Sequence, residues 1–189
     1  MLILVRHGET EANAQRLLLG RADPPLTERG WEQARALAPV VAGAGLVRAS
    51  PLRRARETAS AFGLPVEVDE RWIEVDYGEL DLRPVTHAWV PLWEKWRADP
   101  EWVPPGGESL ASVGRRVREA CEELQGTATT ADVVVVTHVS PIKASVTWAL
   151  QVGDEAAWRM FLDVGSVTRL GMGERGPVLR SFNERHHLP

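Results

Sequence analysis

The chain has a single cysteine, Cys121, which excludes an internal disulfide and any metal site built from several thiolates. It has no apolar run near the roughly 20 residues that a membrane-spanning helix needs. A signal-peptide core is missing too, since Leu2–Val5 is far too short and no basic segment precedes it. A cytoplasmic protein is therefore expected. No internal repeat, low-complexity tract or linker interrupts the 189 residues, so residues 1–189 read as one domain with a substantial core. There is no surplus of positive charge either. The net charge of −4 gives no general attraction to nucleic acid, and no membrane partner is expected. The local exception is Arg48, Arg53, Arg54 and Arg56 around one turn, read as a solvated helix face unless one or two of them build an anion site.

What is present is ordered by type and spacing. Strand-like runs lie at 2–6, 46–49, 66–68, 133–137, 166–170 and 177–182, and helical patterns alternate with them. Between Thr27 and Gly43 the apolar positions Ala34, Leu37, Ala38 and Val41 recur at helical spacing. From Ser109 to Gly126 the stripe is Val113, Val117, Ala120, Cys121 and Leu124, which gives the cysteine a core role. The opposite face pairs Arg115 with Glu119 and Arg118 with Glu122. This alternation predicts a doubly wound α/β sheet.

The first strand ends in Arg6-His7-Gly8-Glu9-Thr10-Glu11, which puts a cation and an imidazole at a strand's carboxyl end, where α/β proteins bind ligands. Imidazole can attack phosphorus, and guanidinium grips phosphate oxygens with paired hydrogen bonds. Gly8 permits a tight turn and close approach to a ligand. Two junctions share a device: Ser50-Pro51 follows the strand at 46–49, and Ser140-Pro141 follows Val133–His138. Each serine reads as a helix N-cap with proline at the first helical position, so that free amides at one sheet edge favour an anion.

The string Arg-His-Gly-Glu-Thr-Glu-x-Asn, which Asn13 completes, resembles the opening motif of the histidine phosphatase superfamily, also called the phosphoglycerate mutase-like family. The resemblance runs from Leu2 to about Val167. Ser50, Leu52, Arg54, Ala55 and Thr58 resemble the family's Ser-x-Leu-x-Arg-Ala-x-x-Thr element, whose Arg before Ala lines the phosphate pocket. His138 caps the all-valine strand where the family places a second phosphate-binding histidine. Where the family usually has His-Gly, this chain has His138-Val139-Ser140-Pro141-Ile142-Lys143, a variant similar to α-ribazole phosphatase-like proteins and to the phosphatase half of fused ribonuclease H/phosphatase proteins. Val139 keeps its backbone N–H, so the phosphate role stands. Arg71–Leu80 resembles the segment whose first glutamate is the proton donor, here Glu74; by residue type alone Asp76 and Glu79 compete. Gly106-Gly107-Glu108-Ser109 matches a structural element before a long helix. The fold implied is a mixed, mostly parallel central sheet flanked by helices on both faces.

On this resemblance His7 attacks phosphorus, Arg6, Arg54 and His138 bind the transferring group, and Glu74 protonates the departing oxygen and then activates water. Asn13 is expected to bond a phosphate oxygen, and Gly20 to let a loop backbone come close; both also suit plain turns. Two histidines without a third ligand make a poor zinc site, so neither metal nor cofactor is expected, and His186-His187 falls in a tail expected to fray. The segment at about 83–107 carries Trp89, Trp93, Trp96 and Trp102 with five prolines and reads either as a satellite core or as a cap over the site. The expected activity is hydrolysis of small phosphomonoesters through a phosphohistidine. A phosphoglycerate mutase is the rival enzyme, and a non-catalytic phosphate-binding module the rival of another class. The expected partner is a small phosphorylated metabolite; a homodimer is compatible with the sequence.

Overall fold

Apolar residues run without interruption through Leu2–Val5 and Val133–Val136, a pattern suited to strands covered on both faces. In the computed structural model, which describes residues 1–84 and 90–189, these runs are the centre of a six-stranded sheet. Its strands are β1 (Leu2–Arg6), β2 (Leu46–Ala49), β3 (Glu67–Val68), β4 (Val133–Thr137), β5 (Val167–Gly173) and β6 (Gly176–Glu184). They stand in the order β3-β2-β4-β1-β5-β6. The first four are parallel to one another; β5 pairs antiparallel with β1, and β6 antiparallel with β5. The mixed, mostly parallel sheet expected from the sequence is the one found.

Strand alternation sends neighbouring side chains to opposite faces, and both faces are covered. Ile3, Val5, Val134 and Val136 pack with α2 (Glu28–Val41) and α3 (Arg53–Ser60) through Leu37, Val41, Ala55 and Ala59. On the other side Leu2, Leu4, Val133 and Val135 meet α5 (Leu110–Thr130) and α6 (Val139–Leu150) through Val117, Cys121, Leu124 and Ile142. Trp96 of α4 (Val90–Ala98) joins this second layer. A one-turn helix, α1 (Glu11–Ala14), follows the first motif. Cys121 is fully buried with its thiol 3.5 Å from Ser145 Oγ, and burial pushes its pKa up to about 12, so it is an inert core residue.

Several local expectations yield to tertiary contacts. Helix α5 passes Gly126 and ends at Thr130, because Ala128 continues its buried stripe. Arg115 reaches Glu101 at 2.8 Å and Arg118 reaches Asp154 at 2.8 Å, in place of the partners one turn along the helix. The tail does not fray at His187, whose ring bonds the Gly165 carbonyl at 2.9 Å. Trp89 lies outside the described residues. With β1, β2 and β4 parallel, their carboxyl ends share one edge and bring Arg6-His7, Ser50 and His138 together.

Candidate active site

His7 continues the pairing of β1 for one residue, donating its N–H to the Thr137 carbonyl at 3.0 Å, and is 3% exposed. The next residue must be glycine: a Cβ on Gly8 would collide with the Gly30 carbonyl in the first turn of α2. Gly8 thus serves a helix–loop contact, where the sequence pointed to approach of a ligand. Its N–H donates to Thr58 Oγ1 at 3.0 Å, and that hydroxyl donates to the Arg54 carbonyl at 2.7 Å, tying the loop to α3. The imidazole is oriented by its own neighbour. Nδ1 lies 2.7 Å from the Gly8 carbonyl, which can only accept, so Nδ1 carries the proton and Nε2 keeps its lone pair.

Arg54 sits between the two histidines and is fully buried. Its Nη1 and Nη2 donate to the carbonyls of Ala22 and Gly20, each at 2.8 Å. Its Nε–H is shared between His7 Nε2 at 3.3 Å and His138 Nδ1 at 3.2 Å. A guanidinium only donates, so both ring nitrogens facing it accept, and both imidazoles are neutral in this arrangement. His138 therefore carries its proton on Nε2, which donates to Ser50 Oγ at 2.7 Å. The two rings are 5.1 Å apart. Burial and then the charge of Arg54 hold both histidines well below the ordinary imidazole range. Burial also brings Arg54 down to about 10, against the pull of Glu74.

Arg6 completes the cationic wall. Its Nη1 donates to the Leu162 carbonyl at 2.6 Å, while its buried Nε has no partner among the described residues. Glu74, 3% exposed, is held by backbone alone. Oε1 accepts from Val75 N at 2.8 Å and Ser140 N at 3.1 Å, and Oε2 accepts from Val139 N at 3.0 Å. Its rivals do not enter: Asp76 accepts from Gly78 N at 2.8 Å inside its own turn, and Glu79 is exposed.

The two Ser-Pro junctions are built differently from the N-caps read in the sequence. Helix α3 starts at Arg53 with Leu52 at its cap and no side-chain cap bond, which frees Ser50 for His138. Helix α6 starts at Val139, with His138 in the cap position. Its free amides do hold an anion, the carboxylate of Glu74, as the dipole at a helix N-terminus favours. Val139 N–H therefore faces Glu74. Asn13 lies in a capping box, its Oδ1 accepting from Thr10 N at 3.1 Å and leaving the Nδ2 amide as a donor. Gly20 acts one step back, with its carbonyl on Arg54 and its N–H donated to Asp81 at 2.7 Å. A Cβ there would come within 2.8 Å of the Val75 carbonyl.

Sequence reasoning missed Ser50 and Thr58 as supports, though both stand in the quoted motif, and it gave no role to Tyr77 or Lys143. The tryptophan-rich segment does two jobs. Trp96 is buried in the core cluster, and Trp93 and Trp96 also wall a cavity of about 580 Å³ that begins at Arg6, Val139 and Ser140. Among the described residues, no group of three His, Cys, Asp or Glu side chains is placed to hold a metal ion.

The model of the histidine phosphatase superfamily (branch 1) matches residues 2–185. A bifunctional protein of Mycobacterium tuberculosis is 38% identical over 177 residues, which cover 88% of this chain and 49% of that protein, so the chain spans about half the length of this mycobacterial relative. Phosphoserine phosphatase 1 of Hydrogenobacter thermophilus is 36% identical over 197 residues, 99% of this chain and 93% of that protein. A mutant phosphoserine phosphatase from Entamoeba histolytica, crystallised with phosphoserine, superposes with a TM-score of 0.89 at 27% identity over 100% of this chain and 98% of that one. The match spans nearly every element that brings His7, Arg54 and His138 together: the chain belongs to the histidine phosphatase superfamily (branch 1).

Proposed function

We propose that the chain is a phosphomonoesterase that turns over through a phosphohistidine on His7. The observation that carries this reading is the orientation of the His7 ring. Its proton is fixed on Nδ1 by the Gly8 carbonyl, so the Nε2 lone pair faces the guanidinium of Arg54. In the first step the ester enters as its monoanion and passes its proton to the Glu74 carboxylate; Nε2 attacks phosphorus, the ester P–O bond breaks, and Glu74 gives that proton to the departing alkoxide. In the second, water attacks phosphorus, Glu74 takes the water's proton, the P–N bond breaks and phosphate leaves. Arg6, Arg54 and His138 bind the equatorial oxygens, where preorganised donors act strongly because Arg54 and His138 are buried. The Asn13 amide supplies a further donor, while Val139 N–H is spent on Glu74. Gly20 contributes by holding Arg54 in place.

A mutase shares the first step and returns the phosphoryl group to a sugar acid. The apolar walls beside Arg6 favour water as the acceptor over so polar a group. A phosphate-binding module without turnover would have no use for a buried nucleophile opposite a buried carboxylate. The test has two parts on one preparation. A radiolabelled monoester should leave acid-labile, base-stable label on the wild type and none on His7→Ala; undiminished label on the variant overturns the assignment. Phosphate release from a good monoester should outrun primed interconversion of 2- and 3-phosphoglycerate; the opposite ranking across a broad panel establishes the mutase.

A further inference from the structure

The cavity beside the site is far larger than a three-carbon leaving group needs. At about 580 Å³ it has the size of pockets that enclose drug-sized ligands. Its inner end is Arg6 with Val139 and Ser140, two of the three residues whose amides hold Glu74. A leaving group that takes its proton from Glu74 departs beside these amides, at the inner end of the cavity. The walls are Trp93, Trp96, Trp158, Leu110, Val113 and Leu162. The Trp93 and Trp96 rings stack at 5.8 Å with 6° between planes, and Trp158 stands edge-on to both at 6.0 Å. A flat apolar body is what such faces accept.

The polar atoms of the wall give a second, independent constraint. Its buried side-chain atoms without a partner among the described residues are Arg6 Nε, Trp96 Nε1 and Trp158 Nε1, all donors. The one carboxylate in the wall among the described residues, Asp154, is committed to Arg118 at 2.8 Å. Lys143 lies one turn beyond Val139 on α6, hence on the same face and about 6 Å further along the axis. Lys143 is half-buried, and its ammonium has no hydrogen-bond or ion-pair partner among the described residues. Burial lowers its pKa, Glu74 opposes this only in part, and Arg6 acts in the same direction as burial. Leaving a charge so poorly solvated is costly unless something compensates it. An anion held by the ligand itself would do so.

We infer that the cavity selects phosphomonoesters whose leaving group is a flat apolar ring carrying an anionic substituent, the ring lying among the tryptophans and the anion on Lys143. The inference rests on the phosphatase reading of the same site. Phosphoserine fits it poorly, because its ammonium would face Arg6 and Lys143 and its three carbons would leave most of the apolar wall wet.

The test compares benzyl phosphate, 4-carboxybenzyl phosphate, phosphoserine, 3-phosphoglycerate and ribose 5-phosphate, all esters of unactivated alcohols. For the wild type, kcat/KM for the carboxylated benzyl ester should exceed that for plain benzyl phosphate by about 10- to 100-fold, the range of one hydrogen bond to a charged group. In Lys143→Met this ratio should collapse towards one, and Lys143→Arg should keep most of it; a ratio is unaffected by the fraction of folded enzyme. Equal rates for the two benzyl esters in the wild type, or an unchanged ratio in Lys143→Met, overturn the inference. So does phosphoserine, 3-phosphoglycerate or ribose 5-phosphate as the best substrate, and in that case His7-dependent turnover leaves the phosphatase reading standing. If nothing on the panel releases phosphate and no label reaches His7, the phosphatase reading falls and the inference falls with it.

Discussion

Ser50→Ala isolates the support of the second histidine. Ser50 is fully buried, and its hydroxyl is the acceptor for His138 Nε2 at 2.7 Å; the same oxygen also accepts from Leu52 N at 3.3 Å. Alanine keeps the backbone bond from Ser50 N to the Val136 carbonyl at 2.9 Å, so the end of β2 stays in place. What is lost is the partner of a buried N–H. An unsatisfied buried donor costs about 1–3 kcal/mol, which in a chain of this size lowers Tm by about 2–12 °C. The consequence for turnover is separate. A serine hydroxyl can accept from Nε2–H, as it does here, or rotate and donate to a bare Nε2 while Nδ1–H turns to a phosphate oxygen. Alanine supports neither tautomer, so His138 should bind the phosphoryl group poorly and kcat/KM should fall by about 10- to 100-fold, the equivalent of one or two RT ln 10 steps. Ser50→Thr, which keeps the hydroxyl, should recover much of both losses. The assay is phosphate release beside thermal melting. A Ser50→Ala enzyme within about 0.5 kcal/mol of wild-type stability and within twofold in kcat/KM would refute the reasoning.

Two further outcomes follow from the same geometry. Glu74→Gln should depress hydrolysis by about 10²–10⁴-fold, the usual scale of a lost general acid–base group, and it should also lower Tm. One amide oxygen can still take Val75 N and Ser140 N, but the new NH₂ then faces Val139 N–H, donor against donor. Calorimetry of the variant beside the wild type checks the second effect. The pH dependence of stability is fixed in sign by His7 and His138, whose folded pKa values lie well below the ordinary 6.5. The unfolded chain then binds more protons below that pH, so their contribution is complete above about 6.5 and is lost as pH falls towards the depressed values. Denaturant titrations between pH 7.5 and 4.5 should show this slope, and His138→Gln should flatten it; an equal slope in the variant contradicts the assignment.

The parts of the fold most readable in the sequence are those whose burial is uniform. Leu2–Val5 and Val133–Val136 are apolar throughout because both faces of the sheet are covered, so no register has to be inferred to see them as central strands. The stripes of α2 and α5 follow the helical period for the same reason. Helix ends and surface pairs were less legible, since they depend on what lies across from them. Gly126 looks like a stop, yet Ala128 finds a buried place beyond it and the helix goes on. Arg118 has Glu122 one turn away and still turns to Asp154, which approaches from a separate 3₁₀ turn at Asp154–Arg159.

The site divides along the same line, and its division has a physical cause. Arg6, His7, Arg54 and His138 could be picked out because each sits at a strand end or in the first turn of a helix, where a local pattern fixes where the side chain can go. The groups that set their protonation could not. The hydroxyl that fixes the tautomer of His138 lies 88 residues earlier in the chain, and two of the three amides that hold the Glu74 carboxylate lie 65 and 66 residues beyond it. A Ser-Pro pair read locally is an N-cap, because capping is the nearest use for its oxygen. Once β2 and β4 lie side by side, His138 Nε2–H is a buried donor with nothing else to meet, and satisfying it outweighs capping α3, whose first amide, Arg53 N, donates to Asp23 Oδ1 at 2.6 Å instead. Ser50 Oγ goes to the histidine for that reason, and the neutral imidazole that Arg54 requires on its other side goes with it.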